Sequence, residues 1–204
     1  MIPIVKHYES PSPINTRTVL RYMGAREDDA RLLGRVILAI NALKGMLAYR
    51  TVYAVYPVTV TEDTVSFPFT SVKSLSLARH LRGCTYAVLM AATIGDATDR
   101  MMEKTKDEPL TALIYQSIGS ERIEALCDSL ESEIAWGASR KGYTARRRFS
   151  PGYGDLPLTF QKEMFAVLDC PSKIALTLRD TMIMAPTKSV SAIIGMLPNE
   201  RMNQ

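Results

Sequence analysis

The stretch of sequence that decides the fold is residues 85–94, which read TYAVLMAATI. Strands that are buried on both faces show continuous apolar runs of this kind, whereas strands with one solvated face alternate between apolar and polar residues. We therefore predict that residues 85–94 form a central strand of a sheet, with other elements packed on both sides.

A second group of extended segments lies before this strand. Residues 51–60 and 64–67 are rich in β-branched and aromatic residues, and a polar pair separates the two runs. This pattern predicts a β-hairpin. A helix over residues 71–81 should follow it and end near Gly83.

Helical periodicity is prominent nearer the N-terminus. Residues 1–15 contain three prolines and predict an extended arm, and residues 16–23 predict a short helix. Acidic residues at positions 27–29 suit the first turn of a longer helix, because they interact favourably with its dipole. The apolar positions of this helix recur at helical spacing: Leu32, Leu33, Val36, Ile37, Ile40, Leu43 and Leu47.

The second half of the chain is predicted to be mostly helical from residue 95 to 136. A break is expected near residues 107–109, and a kink or a restart at residues 119–120, where the phase of the apolar positions shifts. The remaining predicted elements are one helix and two strands: residues 159–168, 175–179 and 190–194. Because helices and strands mix without strict alternation, we predict an α+β fold with a mostly antiparallel sheet. No long polar linker divides the chain, so residues 1–204 are predicted to form one domain.

Composition narrows the classes of function. The chain has 204 residues, of which 47% are hydrophobic and 23% charged, and its net charge of +4 is spread along the sequence rather than concentrated. This distribution argues against nucleic acid as a partner. Cys84, Cys127 and Cys170 form no C-x-x-C pair, and His7 and His80 are the only histidines. We therefore predict neither a disulfide framework nor a metal site.

The sequence also bears on location. The N-terminus has no apolar segment of signal-peptide length, and the longest apolar run, around residues 87–92, is far shorter than the roughly 20 residues that span a bilayer. We predict a cytoplasmic protein with no membrane contact.

The stretch most informative about function is residues 146–153, which read RRRFSPGY. Proline followed by glycine suits the two central positions of a type II turn. Because Gly152 has no side chain, the backbone of the turn could approach a ligand closely, and the guanidinium of Arg148 could bind a carboxylate. The alternative, which composition alone favours, is an ordinary surface turn beside a solvated basic run.

Four acidic residues form a second candidate feature. Glu121, Glu124, Asp128 and Glu131 would lie on one face of a helix. Such stripes are usually solvated, but one carboxylate could face a cationic ligand. The sequence contains neither a Walker-type loop nor a G-x-G-x-x-G motif, and no trio of nucleophile, base and acid can be assigned. No catalytic residue is therefore predicted.

Taken together and in this order, these stretches resemble the activation (reactivation) domain of cobalamin-dependent methionine synthase. Residues 148–153 are similar to the R-x-x-P-G-Y signature of that family, and residues 118–124 to the helix that leads to its binding site. Residues 91–95 are similar to its core strand and turn. Three further segments are similar to family elements. Leu176-Thr177-Leu178 resembles its L-T element, Met184 with Pro186 resembles M-x-P, and Ser189-Val190-Ser191 resembles S-V-S-G. The resemblance spans roughly residues 50–198, and its C-terminal third is the specific part.

The resemblance implies a binding site for S-adenosylmethionine. Arg148, Ser150, Gly152 and Tyr153 would line this site, and Glu124 would supply a nearby carboxylate. Because the sulfonium must be exposed toward cobalt, the site should be a shallow groove rather than a closed pocket.

The implied reaction is methyl transfer coupled to reduction. An electron from a flavodoxin- or ferredoxin-like donor would reduce cob(II)alamin, and the resulting cob(I)alamin would attack the sulfonium methyl group of S-adenosylmethionine. No cobalamin- or homocysteine-binding module is recognisable in the sequence, so the cobalamin is expected on a separate methionine synthase or another corrinoid protein. Whether the chain is itself an enzyme stays open.

Two other functions stay open as well. The family's S-V-S-G becomes S-V-S-A at residues 189–192, and the chain ends soon after Pro198. These departures fit a non-catalytic module that docks on a corrinoid methyltransferase without binding S-adenosylmethionine. A nucleic-acid binder would instead use the basic residues 146–148 with Tyr143 and Tyr153.

Overall fold

The computed structural model describes residues 2–199. Its strands form a five-stranded sheet, a three-stranded sheet and a two-stranded ribbon, and every pairing between neighbouring strands is antiparallel. The strands are β1 (Ile4–Tyr8), β2 (Tyr49–Pro57), β3 (Thr59–Val60), β4 (Thr64–Phe67), β5 (Thr70–Lys73), β6 (Tyr86–Thr93), β7 (Tyr143–Phe149), β8 (Thr177–Leu178), β9 (Met184–Ala185) and β10 (Ser189–Pro198).

Helices pack on both faces of the larger sheet. They are α1 (Thr16–Tyr22), α2 (Ala30–Ala42), α3 (Leu75–His80), α4 (Ala97–Lys104), α5 (Pro109–Ser139), α6 (Gln161–Leu168) and α7 (Cys170–Ile174), with a 3₁₀ turn at Leu158–Phe160. Within residues 2–199, no helix combines the length and the apolar character that crossing a bilayer requires. The predicted α+β architecture with a mostly antiparallel sheet is confirmed.

The prediction of a central strand is also confirmed, since β6 lies in the middle of the sheet order β1-β2-β6-β10-β7. Residues 87–93 are all buried. Leu89 and Ala91 face one hydrophobic layer, while Val88 and Met90 face the other. The strand has no polar face because both of its sides are covered.

The two layers differ in what covers the sheet. On one side, α5 contributes Leu126, Leu130 and Ile134 to the core. On the other side, the sheet packs against the small sheet together with α3, α6 and α7, and the core there includes Phe67 and Met164. A third cluster joins α1, α2 and α4 to the N-terminal half of α5.

The restart predicted as one alternative at residues 119–120 is wrong, because α5 is continuous for 31 residues. The phase of its apolar positions shifts for a different reason. Ile114 and Ile118 pack against α1, α2 and α4, whereas Leu126 and Leu130 pack against the sheet. A continuous helix that contacts different partners along its length buries different faces, and this produced the shift in the pattern. The predicted break near residues 107–109 is confirmed, since α4 ends at Lys104 and α5 begins at Pro109.

The hairpin prediction is partly correct. β3 and β4 do form a hairpin in the small sheet, but residues 49–57 form the long strand β2, which pairs with β6 in the main sheet. The helix predicted over residues 71–81 begins later, because residues 70–73 complete the small sheet as β5 and Ser74 caps α3. Strand and helix propensities in such short segments are overridden by the available pairing partners.

Three further strands were not predicted, or were predicted too short. The extended arm contains β1, which pairs with β2 at the edge of the sheet. The basic segment before the Pro-Gly turn is β7, the opposite edge strand, where charged side chains are tolerated because one side of the strand is solvated. At the C-terminus, β10 extends over Ser189–Pro198, beyond the predicted residues 190–194, and pairs with both β6 and β7.

Candidate functional site

A β-bulge in β7 determines where Arg148 lies. Arg148 pairs with Ile194, and Ala145 pairs with Met196, so β7 has one more residue than β10 between these two pairs. An extra residue changes the alternation of side chains along a strand and turns the next side chain to another face. As a result, Arg148 lies on the same face of the sheet as Ala145 and contacts α5.

The three consecutive arginines therefore separate. Arg146 Nη2 donates to the carbonyl oxygen of Arg82 at 3.0 Å. The side chain of Arg147 is 86% exposed, with its Nε 3.7 Å from Glu131 Oε1. Arg148 is only 15% exposed. The arginines do not form one continuous basic surface of the kind that a nucleic-acid binder would present.

The guanidinium of Arg148 lies among three carboxylates of α5. Its Nη2 is 2.8 Å from Asp128 Oδ1 and 3.3 Å from Glu124 Oε2, and its Nε is 3.2 Å from Glu131 Oε2. The backbone N–H of Arg148 donates to Glu131 Oε1 at 3.1 Å. The acidic stripe is thus not simply solvated, because three of its four members hold this arginine.

The thiol of Cys127 lies next to the same guanidinium. Burial raises the pKa of this thiol to about 12, although the nearby positive charge of Arg148 opposes the change. Cys127 is therefore a neutral, fully buried neighbour at physiological pH and not a thiolate nucleophile.

The Pro-Gly turn follows Arg148 directly. The N–H of Tyr153 donates to the carbonyl oxygen of Ser150 at 3.2 Å, and Gly152 has a φ of +92°. A positive φ at the third residue is what a type II turn requires, and it explains why glycine occupies this position. The N–H of Gly152 is used within the loop, since it donates to the carbonyl oxygen of Leu156 at 2.9 Å.

Asp155 attaches this loop to the start of α3. Its carboxylate accepts hydrogen bonds from Ser74 Oγ at 2.6 Å and from the N–H groups of Leu75 and Ser76 at 2.7 and 2.9 Å. The hydroxyl of Ser74 and these N–H groups hold the pKa of the Asp155 carboxyl well below its usual range. Sequence reasoning missed this residue, because its partners lie about 80 positions away in the chain.

Tyr153 is largely exposed, with 64% of its surface accessible. Its ring packs edge-to-face on Phe149, with 6.3 Å between the ring centroids, and Phe149 in turn contacts the ring of His80 at 5.1 Å. Phe149 belongs to the hydrophobic layer opposite α5. The turn therefore passes around the edge of the sheet, from the face of Arg148 to the face of His80.

An open groove lies beside the acidic stripe, between the N-terminal segment and α5. It has a volume of about 730 Å³, and its walls include Ser12, Thr18, Glu124 and Asp128. The exposed fractions of the Glu124 and Asp128 side chains are 48% and 64%. The two carboxylates that share Arg148 Nη2 therefore also face an accessible groove.

The N-terminal wall of this groove is held by a buried ion pair. Arg122 is fully buried, and its Nε and Nη2 donate to both carboxylate oxygens of Glu121 at 2.5 and 2.6 Å. Its Nη1 donates to the carbonyl oxygen of Ser12 at 2.5 Å, and the N–H of Asn15 donates to Glu121 at 3.0 Å. The first member of the acidic stripe thus fastens the N-terminal arm rather than contacting Arg148.

The S-V-S run lies in β10, between β6 and β7. Ser189 Oγ donates to Thr93 Oγ1 at 2.9 Å. Lys188, which precedes the run, lies across α5 at Gly119, and its Nζ donates to Ser120 Oγ at 3.0 Å. The motif segments recognised in the sequence are therefore in mutual contact, although these partners lie 68 and 96 positions apart in the chain.

The structure brings together two of the five predicted site residues by direct contact, Arg148 and Glu124. The other three follow Arg148 along the chain: Ser150, Gly152 and Tyr153. Sequence reasoning placed Asp128 and Glu131 in the acidic stripe but did not identify them as partners of Arg148. Their spacing from Glu124 on one helix face was the only available signal, and it did not reveal which strand would pack there.

A model of the vitamin B12 dependent methionine synthase activation domain matches residues 77–202. The crystal structure of the MetH reactivation domain bound to AdoHcy has the same fold, with a TM-score of 0.75 and 14% sequence identity over 97% of this chain and 79% of that one. No curated protein sequence matches the chain. Since the family model covers more than half of its residues, the chain belongs to the family of vitamin B12 dependent methionine synthase activation domains.

Proposed function

We propose that this protein binds S-adenosylmethionine and supports the reductive methylation of cob(II)alamin on a separate cobalamin-dependent methionine synthase in the cytoplasm. Arg148, Ser150, Gly152, Tyr153 and Glu124 are the proposed ligand-binding residues, within a single domain. The observation that carries the proposal is the contact of Arg148 with the acidic stripe at the edge of an open groove.

The charges in this region suit an amino acid ligand. Such a ligand carries both an α-carboxylate and an α-ammonium group, and a guanidinium beside exposed carboxylates offers a partner to each of them. Arg148 Nη2 is the terminal nitrogen that contacts the exposed carboxylates of Asp128 and Glu124. A ligand carboxylate could bind the guanidinium from this side.

The remaining groups suit the rest of the ligand. Tyr153 presents a largely exposed ring next to the turn, and an exposed aromatic face can stack on a planar base. The carboxylates of Glu124 and Asp128 also offset the positive charge of a sulfonium. The groove is open, so a bound ligand would stay accessible to a second protein.

When bound, S-adenosylmethionine supplies an electrophilic methyl group. Together with one electron from a flavodoxin- or ferredoxin-like donor, transfer of this methyl group would convert cob(II)alamin on the partner into methylcobalamin and leave S-adenosylhomocysteine. The chain's own residues would bind and orient the ligand, and the cofactor on the partner would carry the chemistry.

Isothermal titration with S-adenosylmethionine tests the proposal. Losing a hydrogen bond to a charged group costs about 1.5–3 kcal/mol, so Arg148→Ala should weaken binding on the order of 10- to 150-fold. Tyr153→Ala removes an exposed ring, should fold normally, and should also weaken binding. Arg31→Ala is the control, because Arg31 is an exposed arginine on α2 that does not line the groove. Absence of binding to the wild-type protein at millimolar ligand would exclude the proposal.

A second candidate function is a docking module that binds a corrinoid methyltransferase without binding S-adenosylmethionine. It is favoured by the observation that Arg148 already has three carboxylate partners and that the N–H of Gly152 is satisfied by Leu156. Here the protein should co-purify with a cobalamin-loaded partner, and Arg148→Ala should leave that association unchanged. Heat of binding for S-adenosylmethionine would decide against it.

A further inference from the structure

The guanidinium of Arg148 has two unlike edges. Its Nε edge contacts Glu131, whose side chain is only 13% exposed. Its Nη2 contacts Asp128 and Glu124, whose side chains are 64% and 48% exposed. The same guanidinium is therefore held by a buried carboxylate on one side and by solvated carboxylates on the other.

The Nε edge of the guanidinium, called the inner edge below, is held by Glu131. Glu131 Oε2 lies 3.2 Å from Arg148 Nε, and Glu131 Oε1 accepts the backbone N–H of Arg148 at 3.1 Å. One carboxylate thus binds both the main chain and the side chain of Arg148, which restricts the rotamers of this long side chain. Charge-assisted hydrogen bonds in a buried position are also stronger than exposed ones.

The Nη2 edge of the guanidinium, called the outer edge below, is held much less firmly. Asp128 Oδ1 and Glu124 Oε2 share the single nitrogen Nη2, at 2.8 and 3.3 Å. Exposed ion pairs of this kind contribute little, because water screens them and both side chains lose conformational freedom. A new carboxylate could therefore replace one of these two at Nη2 with little loss.

We propose that Glu131 is the positioning residue of the site and that Asp128 is an exchangeable partner, which occupies Arg148 until the carboxylate of the ligand replaces it. This inference rests on the proposed function and extends it. Glu131 keeps the guanidinium in the orientation that the ligand needs, and Asp128 competes with the ligand for Nη2. The two carboxylates on one helix face therefore have opposite effects on affinity.

Isothermal titration with S-adenosylhomocysteine measures these opposite effects. This probe has a carboxylate and an ammonium group but no sulfonium, so its net charge is zero and changes in overall protein charge matter little. Asp128→Asn removes an exposed competitor and should tighten binding about two- to fivefold. Glu131→Gln keeps the shape but loses the charge, and it should weaken binding by about tenfold or more. Glu163→Gln, an exposed carboxylate on α6, is the control and should change nothing.

Nuclear magnetic resonance of the arginine Nε–Hε groups gives a readout that a purely structural role would not produce. In the ligand-free protein, the Arg148 Nε–Hε resonance should shift in Glu131→Gln and stay unchanged in Asp128→Asn. In the wild-type protein, titration with S-adenosylhomocysteine should leave this resonance nearly unchanged, since the inner edge stays bound. The wild-type titration remains informative even if Glu131→Gln folds poorly.

Three results would overturn the inference, and they are distinguishable. If wild-type protein binds neither S-adenosylhomocysteine nor S-adenosylmethionine, the proposed function is wrong, and so is the proposed replacement of Asp128 by the ligand carboxylate. If it binds but Asp128→Asn weakens binding, the proposed function stands and Asp128 is not a competitor. If the Nε–Hε resonance moves on ligand binding as far as it does in Glu131→Gln, Glu131 does not hold Arg148 in place.

Discussion

Replacement of Gly119 by alanine should destabilise the protein, although alanine is the better helix former. Gly119 lies inside α5, where the aliphatic stem of Lys188 crosses the helix. A Cβ at this position would lie 2.9 Å from Lys188 Cγ, 3.1 Å from Cδ and 3.0 Å from Cε. The stem lies flat against the glycine, and Lys188 is 8% exposed with its Nζ bound to Ser120, so it cannot easily move away.

The magnitude follows from two opposing effects. Forcing an extra carbon into a close-packed contact typically costs about 1–3 kcal/mol. Replacing glycine by alanine inside a helix stabilises by about 0.5–1 kcal/mol. For Gly119→Ala the first effect is larger, and we expect a net destabilisation of about 1 kcal/mol.

The same helix offers a matched control. No atom lies within 4 Å of the position of a Cβ at Gly137, so Gly137→Ala should show only the favourable effect and stabilise by up to about 1 kcal/mol. Urea unfolding followed by circular dichroism, with m-values compared, measures both changes. In the double variant Gly119→Ala with Lys188→Ala, the clash is absent and part of the loss should be recovered. If Gly119→Ala stabilises the protein as much as Gly137→Ala does, the close contact with Lys188 has no energetic effect and the reasoning is refuted.

Two further predictions concern buried and partly buried charges. Arg122→Met leaves the Glu121 carboxylate buried without its partner, so it should lower the free energy of unfolding by about 3–5 kcal/mol, measurable by urea unfolding; a loss below 1 kcal/mol would contradict the structure. Burial lowers the pKa of His80 below its usual value of 6.5, and its Nε2 lies 2.8 Å from the carbonyl oxygen of Arg147. Because the folded state disfavours the protonated form, the stability that neutral His80 contributes is present above pH 6.5 and is lost as the pH falls below it. The urea midpoint of the wild type should therefore drop more between pH 7.5 and 5.5 than that of His80→Gln, which keeps His7 as an internal reference; equal drops would mean that His80 does not titrate differently on folding.

Much of the fold could be predicted from local patterns. The apolar run over residues 85–94 indicated a central strand, because only a strand covered on both faces has no polar positions. The break near residues 107–109 was likewise predicted from local sequence, and a proline at position 109 suits the first turn of α5. These predictions depend on residues close together in the chain, and a single sequence is sufficient for them.

Predictions failed where the partner of a segment determined its structure. The strand β7 carries three arginines and has no apolar alternation, yet it pairs with β10 because its neighbour offers an unpaired edge. The phase shift within α5 accompanies a change of packing partner and not a restart of the helix. Periodicity reports which face of an element is buried, but it does not report what lies against that face.

The candidate site shows the same division. The Pro-Gly turn and the acidic stripe were visible in the sequence, because a positive φ requires glycine and helical spacing aligns the four carboxylates. The contact between Arg148, which precedes this turn, and the acidic stripe could not be predicted from the sequence. It depends on the bulge in β7, which turns Arg148 toward α5 through the insertion of one residue relative to β10. A register shift arises from the pairing of two strands about 45 residues apart, so only the tertiary structure decided that Arg148 is bound by Glu124, Asp128 and Glu131.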